Sequence, residues 1–288
     1  MALCNLKNAL DHAEQSGYAI GSFNLTGEDI LIGILQAAVE QGSPVILSIA
    51  EAHISYMRWR SFMKMVIAEA ESAPVPVVIH LDHATRLETI YQALQLGFTS
   101  IMYDGSVLSL DENIANTRLI ASIAHSLDIS VEAELGHIGG TTEEVGVPHH
   151  VQPEMTDPSL VPGFIEQTSI DALAVAFGTA HGYYKGQPNL NYDLLHQIRQ
   201  RAVIPLVLHG GSGLSDEAFR RSIRTGIRKI NYGTDLFATS TQAARHKLCQ
   251  EPDLIHYAGV CLEVRKAVKE RVSGYLKLWG SAGKSWLN

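Results

Sequence analysis

The chain has 288 residues, with 22 Lys and Arg against 30 Asp and Glu and a formal net charge of −8. A nucleic-acid surface shows as a basic excess or cluster, so the acidic balance argues against that kind of partner. No apolar run approaches the ~18 residues of a membrane span, and Met1-Ala-Leu-Cys-Asn-Leu-Lys lacks the basic region and apolar stretch of a secretory leader.

Read in chain order, short apolar stretches alternate with longer segments of helical spacing. Tyr18–Phe23 predicts a first strand and Glu28–Gln41 the helix after it. Val45–Ile49 and Arg58–Ala73 repeat the pair, as do Val77–Leu81 with Leu87–Leu96 and Ser100–Met102 with Asp111–Leu127. The second half continues with Ser130–Leu135 and Pro158–Thr168, Ala172–Ala176 and Tyr192–Arg201, Leu206–Leu208 and Asp216–Thr225, then Arg228–Ile230 and Leu236–Leu248. Leu262–Leu278 predicts an additional terminal helix. Thr26-Gly-Glu-Asp and Ser215-Asp-Glu place capping groups and negative charge at helix starts, and Gly42, Gly97 and Gly226 stand where a left-handed C-cap is needed. Stretches such as Asp171-Ala-Leu-Ala-Val-Ala-Phe are apolar on both faces, as in a parallel sheet covered by helices.

Eight strand–helix pairs predict a closed (β/α)8 TIM barrel with an additional C-terminal helix, forming one domain over 1–288. An open doubly wound sheet is disfavoured because no GxGxxG turn follows the first strand. From Gly136 to about Asp157 there is no apolar periodicity; loops beyond ~12–15 residues are uncommon in compact domains and are often lids. Cys4, Cys249 and Cys261 are odd in number and form no CxxC, which predicts free thiols and a cytoplasmic protein.

The ionisable residues fall at strand ends. Asp82 and His83 close the third strand, Asp104 follows the fourth, and Glu132 and Glu134 lie in the fifth. His181 follows the sixth, His209 closes the seventh, and Asn231 and Asp235 follow the eighth. A barrel gathers all eight carboxyl ends at one mouth. His83, His181 and His209 would then give three neutral imidazoles suited to Zn²⁺ with a position left open for substrate. Glu132 points inward with Glu134 but lies deeper, either in the site or as a structural hydrogen-bond partner. His53, His125, His196, His246 and His256 read as surface or packing residues. His209-Gly-Gly-Ser-Gly and Asn231-Tyr-Gly-Thr follow strands seven and eight, between which barrels commonly hold phosphate. Metal beside phosphate suits proton abstraction or C–C cleavage next to a ketone, with metal-assisted hydrolysis as the competing chemistry. A third reading is a partner subunit that keeps the barrel without catalysis; the intact histidine set speaks against it.

Leu-Asp-His-Ala (81–84), Asp-Gly-Ser (104–106), Val-Glu-Ala-Glu-Leu-Gly-His-Ile-Gly-Gly (131–140), Gly-Thr-Ala-His-Gly (178–182), Leu-His-Gly-Gly-Ser-Gly (208–213) and Lys-Ile-Asn-Tyr-Gly-Thr-Asp (229–235) stand in one order. In these motifs the chain closely resembles the class II, metal-dependent fructose- and tagatose-bisphosphate aldolases, from Ile20 through Ser281. The resemblance implies His83, His181 and His209 as zinc ligands, with Glu134 and Asp104 at a second or alternative metal position. It implies Asp82 as the acid/base on the aldehyde oxygen and Glu143 or Glu144 as the base at the carbon next to the ketone. For the dihydroxyacetone phosphate half it implies Asn24, Ser48, Gly182, Lys185, Gly210, Gly211, Ser212, Asn231, Tyr232, Gly233 and Thr234, with a monovalent cation (Na⁺ or K⁺) nearby. A homodimer or homotetramer is implied in the same way. Because Asp82 and His83 are adjacent, an ideal strand would aim them oppositely, so the turn there has to re-aim one. One departure stands out: bisphosphate members carry Asp-Pro-Arg before the terminal helix, and Ala258 occupies the Arg position here. That loss predicts a distal end that is unphosphorylated, or that bears a carboxylate held by groups such as Arg58 or Arg60.

Overall fold

A computed structural model of the chain describes residues 2–140, 152–184 and 186–287. Eight parallel strands close into a barrel in sequence order: β1 Ile20–Asn24, β2 Val45–Ala50, β3 Val77–Ala84, β4 Ser100–Tyr103, β5 Ser130–Leu135, β6 Ala172–Val175, β7 Leu206–Leu208 and β8 Ile227–Tyr232. β8 returns to β1 through the pairs Ile20↔Lys229 and Ser22↔Asn231, so no edge is left open. The outer layer is α2 Glu28–Gln41, α3 Trp59–Ser72, α4 Leu87–Gln95, α5 Leu110–His125, α6 Val161–Thr168, α7 Tyr192–Arg201, α8 Asp216–Thr225 and α9 Thr234–Gln250, followed by α10 Ala258–Leu278. The predicted (β/α)8 barrel and its extra terminal helix are both present.

Local chemistry sets the boundaries. Ser215 caps α8 by accepting from the Ala218 N–H. At α2 the cap is Gly27 rather than the expected hydroxyl of Thr26, and no side chain bonds there. Gly42 ends the same helix in the left-handed region, at φ 56°.

Two elements escape the sequence reading. The first, α1 (Leu6–Ser16), is capped by Asn5, which accepts from the Asn8 N–H. Its apolar face of Leu6, Ala9, Leu10 and Ala13 packs on Ile20, Ile46, Val78, Met102, Ala172, Ala174 and Val207. These are inward-facing barrel residues, so α1 seals the end opposite the mouth. The second is a 3₁₀ turn, Glu51–Tyr56, that follows β2 on the mouth side.

β3 runs three residues past its predicted end. Its pairing with β4 shifts register between Leu81 and Ala84, and His83 sits at φ 47°, a left-handed conformation rare outside glycine. That residue supplies the re-aiming turn which the adjacent Asp82-His83 pair requires.

Candidate active site

The left-handed His83 turns two neighbours toward the same space. Asp82 is buried at the mouth, where its two carboxylate oxygens accept from the side-chain amides of Asn24 (3.1 Å) and Asn231 (3.0 Å). Burial would raise its pKa, but the positive charges of His83 and Lys229 outweigh this and hold the carboxyl well below the ordinary range. Asp82 is therefore a carboxylate, able to accept a proton.

The three predicted imidazoles converge. Ring centroids of His83 and His209 lie 4.6 Å apart, His83 and His181 4.9 Å, and His181 and His209 5.9 Å. One nitrogen from each falls within 4.8 Å of the others. Two rings are held from behind. His83 Nδ1 donates to Asp104 Oδ2 (2.7 Å), whose other oxygen accepts from the Ser106 hydroxyl and N–H. His209 Nε2 donates to Glu132 Oε1 (2.8 Å). This leaves His83 Nε2 and His209 Nδ1 facing each other at 2.8 Å. Both nitrogens of His181 are buried without a hydrogen-bond partner among the described residues. Burial lowers the pKa of His181 and His209, whereas Asp82 and Asp104 overcome burial at His83 and lift it to about 9.

An orphaned buried imidazole beside two rings with carboxylate support is a donor set that could hold a divalent cation. Glu134 and Asp104 lie beside His83 as a second such group. Glu134 Oε1 accepts from the Ile138 N–H and Oε2 has no hydrogen-bond partner among the described residues; burial and the Asp104 charge raise its pKa well above normal.

A pocket opens over these groups, lined by Asn24, Asp82, His83, His181, Gly210, Gly211, Ser212, Asn231 and Gly233. A Cβ on Gly210 would stand 2.3 Å from the Ala180 carbonyl oxygen, so only glycine lets this loop pass so close. Ser212 Oγ accepts from the Asp235 N–H (3.1 Å) and ties the two Gly-rich loops together beside the N-terminus of α9. Ser48, Gly182 and Thr234 lie off the pocket wall. The Tyr232 side chain points away from the pocket: its ring packs on Phe23, Tyr275 and Trp279 behind the barrel, and its hydroxyl donates to Asp235. Only its backbone belongs to the loop. Glu143, Glu144 and Lys185 lie outside the described residues.

The pocket wall also includes His53 and Phe237, their rings 5.3 Å apart edge to face. His53 is buried against Tyr56 and Phe237, as a packing residue is, and in addition lines the mouth. Its signal was its place a few residues beyond a strand end. Deeper in the barrel, His80 and Lys229 went unread, although His80 is two residues from both Val78 and Asp82 on the inward face. Lys229 Nζ donates to Glu132 Oε2 (2.8 Å) and approaches His80 Nε2 (3.3 Å). Burial and Lys229 push His80 down to about 3, and Lys229 holds Glu132 at about 2 against its own burial.

Comparison with known proteins decides what this arrangement belongs to. Residues 4–284 match the family model for fructose-bisphosphate aldolase class-II. The chain belongs to the class II fructose-bisphosphate aldolase family. It is a lyase, and the hydrolase reading falls away. The crystal structure of the YdjI aldolase from Escherichia coli K12 superposes with a TM-score of 0.85 at 36% identity, covering 98% of this chain and 99% of that one. The 6-phospho-5-dehydro-2-deoxy-D-gluconate aldolase of Bacillus licheniformis is 39% identical over 99% of this chain and 97% of its own length. The probable fructose-bisphosphate aldolase of Bacillus subtilis is 38% identical over 99% of this chain and 100% of its own.

Proposed function

We propose that this aldolase is zinc-dependent and reversibly cleaves a ketose 1-phosphate to dihydroxyacetone phosphate and an aldehyde that carries no phosphate. The observation behind the chemistry is the convergence of His83, His181 and His209 with a carboxylate, Asp82, over a pocket walled by two Gly-rich loops. The observation behind the substrate class is Ala258. It is exposed at the first position of α10, and its methyl group offers no anion clamp where bisphosphate members carry a guanidinium. Arg58 and Arg60 flank the start of α3 and are exposed, available to a distal carboxylate. The name of the Bacillus licheniformis relative, a phosphorylated sugar acid aldolase, agrees with such a substrate.

His83, His181 and His209 would hold the zinc ion, which would supply Lewis-acid character at the ketone. Asp82, fixed by Asn24 and Asn231, takes the hydroxyl proton of the aldehyde half in cleavage and returns it in condensation. Backbone N–H groups of the loops at Gly210, Gly211 and Gly233, with Ser212 and the start of α9, hold the phosphate, and a Na⁺ or K⁺ ion would assist in neutralising its charge. Glu143 or Glu144 handles the carbon-bound proton. The working form is a cytoplasmic homodimer or homotetramer. Among the described residues no helix is long and apolar enough to cross a membrane.

The test is release of dihydroxyacetone phosphate from a panel of ketose 1-phosphates and from fructose and tagatose bisphosphates. The 1-phosphates, with or without a distal carboxylate, are expected to be cleaved faster, with activity lost to a chelator and restored by zinc. A strong bisphosphate preference overturns the substrate reading, and full activity after chelation overturns the zinc reading.

A further inference from the structure

We propose that Lys229 and Glu132 form a buried positioning relay that aims Nδ1 of His209 into the metal pocket. The inference rests on the zinc reading above and goes beyond it to residues that touch neither substrate nor metal.

The relay crosses the barrel. Lys229 belongs to β8 and Glu132 to β5, strands that do not pair, and both side chains are fully buried. Beside them the barrel interior holds apolar side chains such as Ile46, Val78, Met102 and Val207, the last two in register with Glu132 and Lys229. Branched apolar side chains are the usual filling of such a barrel. Replacing a buried ion pair with apolar residues is often neutral or stabilising, so fold stability alone is a weak reason for a lysine and a glutamate here.

The hydrogen bonds admit one proton assignment. An ammonium group only donates, so Glu132 Oε2 accepts from Lys229 at 2.8 Å and His80 Nε2 accepts at 3.3 Å. His80 then carries its proton on Nδ1 and donates it to Ser100 Oγ (2.9 Å). With Oε2 engaged, Glu132 Oε1 is aimed at His209 Nε2 and accepts its proton at 2.8 Å. His209 Nδ1 is left with a lone pair, directed at the space it shares with His83 Nε2 and the Asn231 amide. A ligating histidine needs this fixing, because the other tautomer puts a proton where the metal must bind. The three histidines differ in this respect. Asp104 performs the task for His83, and His181 has no side-chain partner among the described residues. For His209 the task falls to Glu132, and Lys229 locks Glu132 by engaging its second oxygen.

The experiment uses the full-length enzyme, with Glu132→Gln, Lys229→Met and the double variant. Zinc affinity is measured by competition with a chelator, cleavage at saturating zinc, and ring ¹⁵N shifts of the histidines by NMR. Each single change is expected to weaken zinc binding by about 10–100-fold, the usual effect of losing such a partner. The double variant is expected to match the weaker single variant rather than multiply the losses, because the two act in series. In the wild-type enzyme His209 should carry its proton on Nε2, and the Glu132→Gln variant should show a mixture of tautomers. Folded variants that bind zinc within threefold of wild type overturn the relay, as does a wild-type His209 protonated on Nδ1. The wild-type spectrum decides even where a variant fails to fold. A wild-type enzyme that binds no zinc would instead sink the zinc reading itself.

Discussion

Gly140→Ala is expected to disable metal binding through a clash with one imidazole. A Cβ built on Gly140 lies 2.3 Å from His181 Cβ, 2.8 Å from its nitrogen and 2.9 Å from its Cα. Ordinary contact begins near 3.4 Å, so the closest overlap exceeds an ångström. No rotamer relieves it, because the contacts include the His181 backbone, whose N–H is held by the Gly139 carbonyl at 2.8 Å. The His181 segment must move. Metal–ligand distances hold to within about 0.2 Å, several times less than the displacement required. Zinc affinity should therefore fall by at least 10–100-fold, or about 1.4–2.8 kcal/mol. Overpacking should cost a further ~1–3 kcal/mol of stability. Chelator competition and cleavage at rising zinc concentration measure both sides of the effect. Gly163→Ala is the control, since its Cβ would meet only the end of Gln167 at 3.7 Å. A Gly140→Ala enzyme that binds zinc within threefold of wild type and cleaves at the wild-type rate would refute the argument.

Asp82→Asn should lower kcat by about 10²–10⁴ at saturating zinc, the range for loss of a positioned acid/base; a loss under threefold removes the residue from that role. Leu10→Ala should destabilise the protein by about 2–5 kcal/mol in urea unfolding, because this fully buried side chain is part of the α1 seal; a loss below 1 kcal/mol would mean α1 docks only loosely. Glu51 accepts from the Thr85 N–H and hydroxyl and from Arg86 Nε. Burial raises its pKa, but bonds from Thr89 and Thr85 outweigh this, and the folded value is depressed. Its contribution is thus fully present above the unfolded value of about 4.3 and fades as pH falls through the folded one. The stability gap between wild type and Glu51→Gln should be about 1–3 kcal/mol at pH 7 and close on acidification; a gap that widens toward acid contradicts the assignment.

The strands are legible because a parallel strand buried on both faces reads as a continuous apolar run, and the helices because each carries a one-sided stripe. What stays hidden depends on distance in sequence. α1 shows helical spacing at Leu6, Ala9, Leu10 and Ala13, yet eleven residues gain their helical state from the barrel floor they cover, a contact no local window contains. β3 looks finished at Leu81 because Asp and His seldom continue a buried strand. The left-handed His83 lets pairing reach Ala84. The convergence of His83, His181 and His209 is readable because every strand ends at the same mouth, so position in the repeat stands in for position in space. The Tyr232 side chain obeys a second rule: alternate residues of β8 face opposite ways, so a motif that spans both faces puts its ring behind the barrel. His80 and Lys229 lie on strands whose apolar neighbours mask them, and only the closed barrel shows that they meet.

Because α1 covers the floor of the barrel, the pocket at Asp82 and the three histidines opens, among the described residues, on the strand-end side. The floor helix and the reacting end of this lyase therefore stand at opposite ends of one barrel, so changes to the α1 contact surface can be made without touching the groups at the mouth.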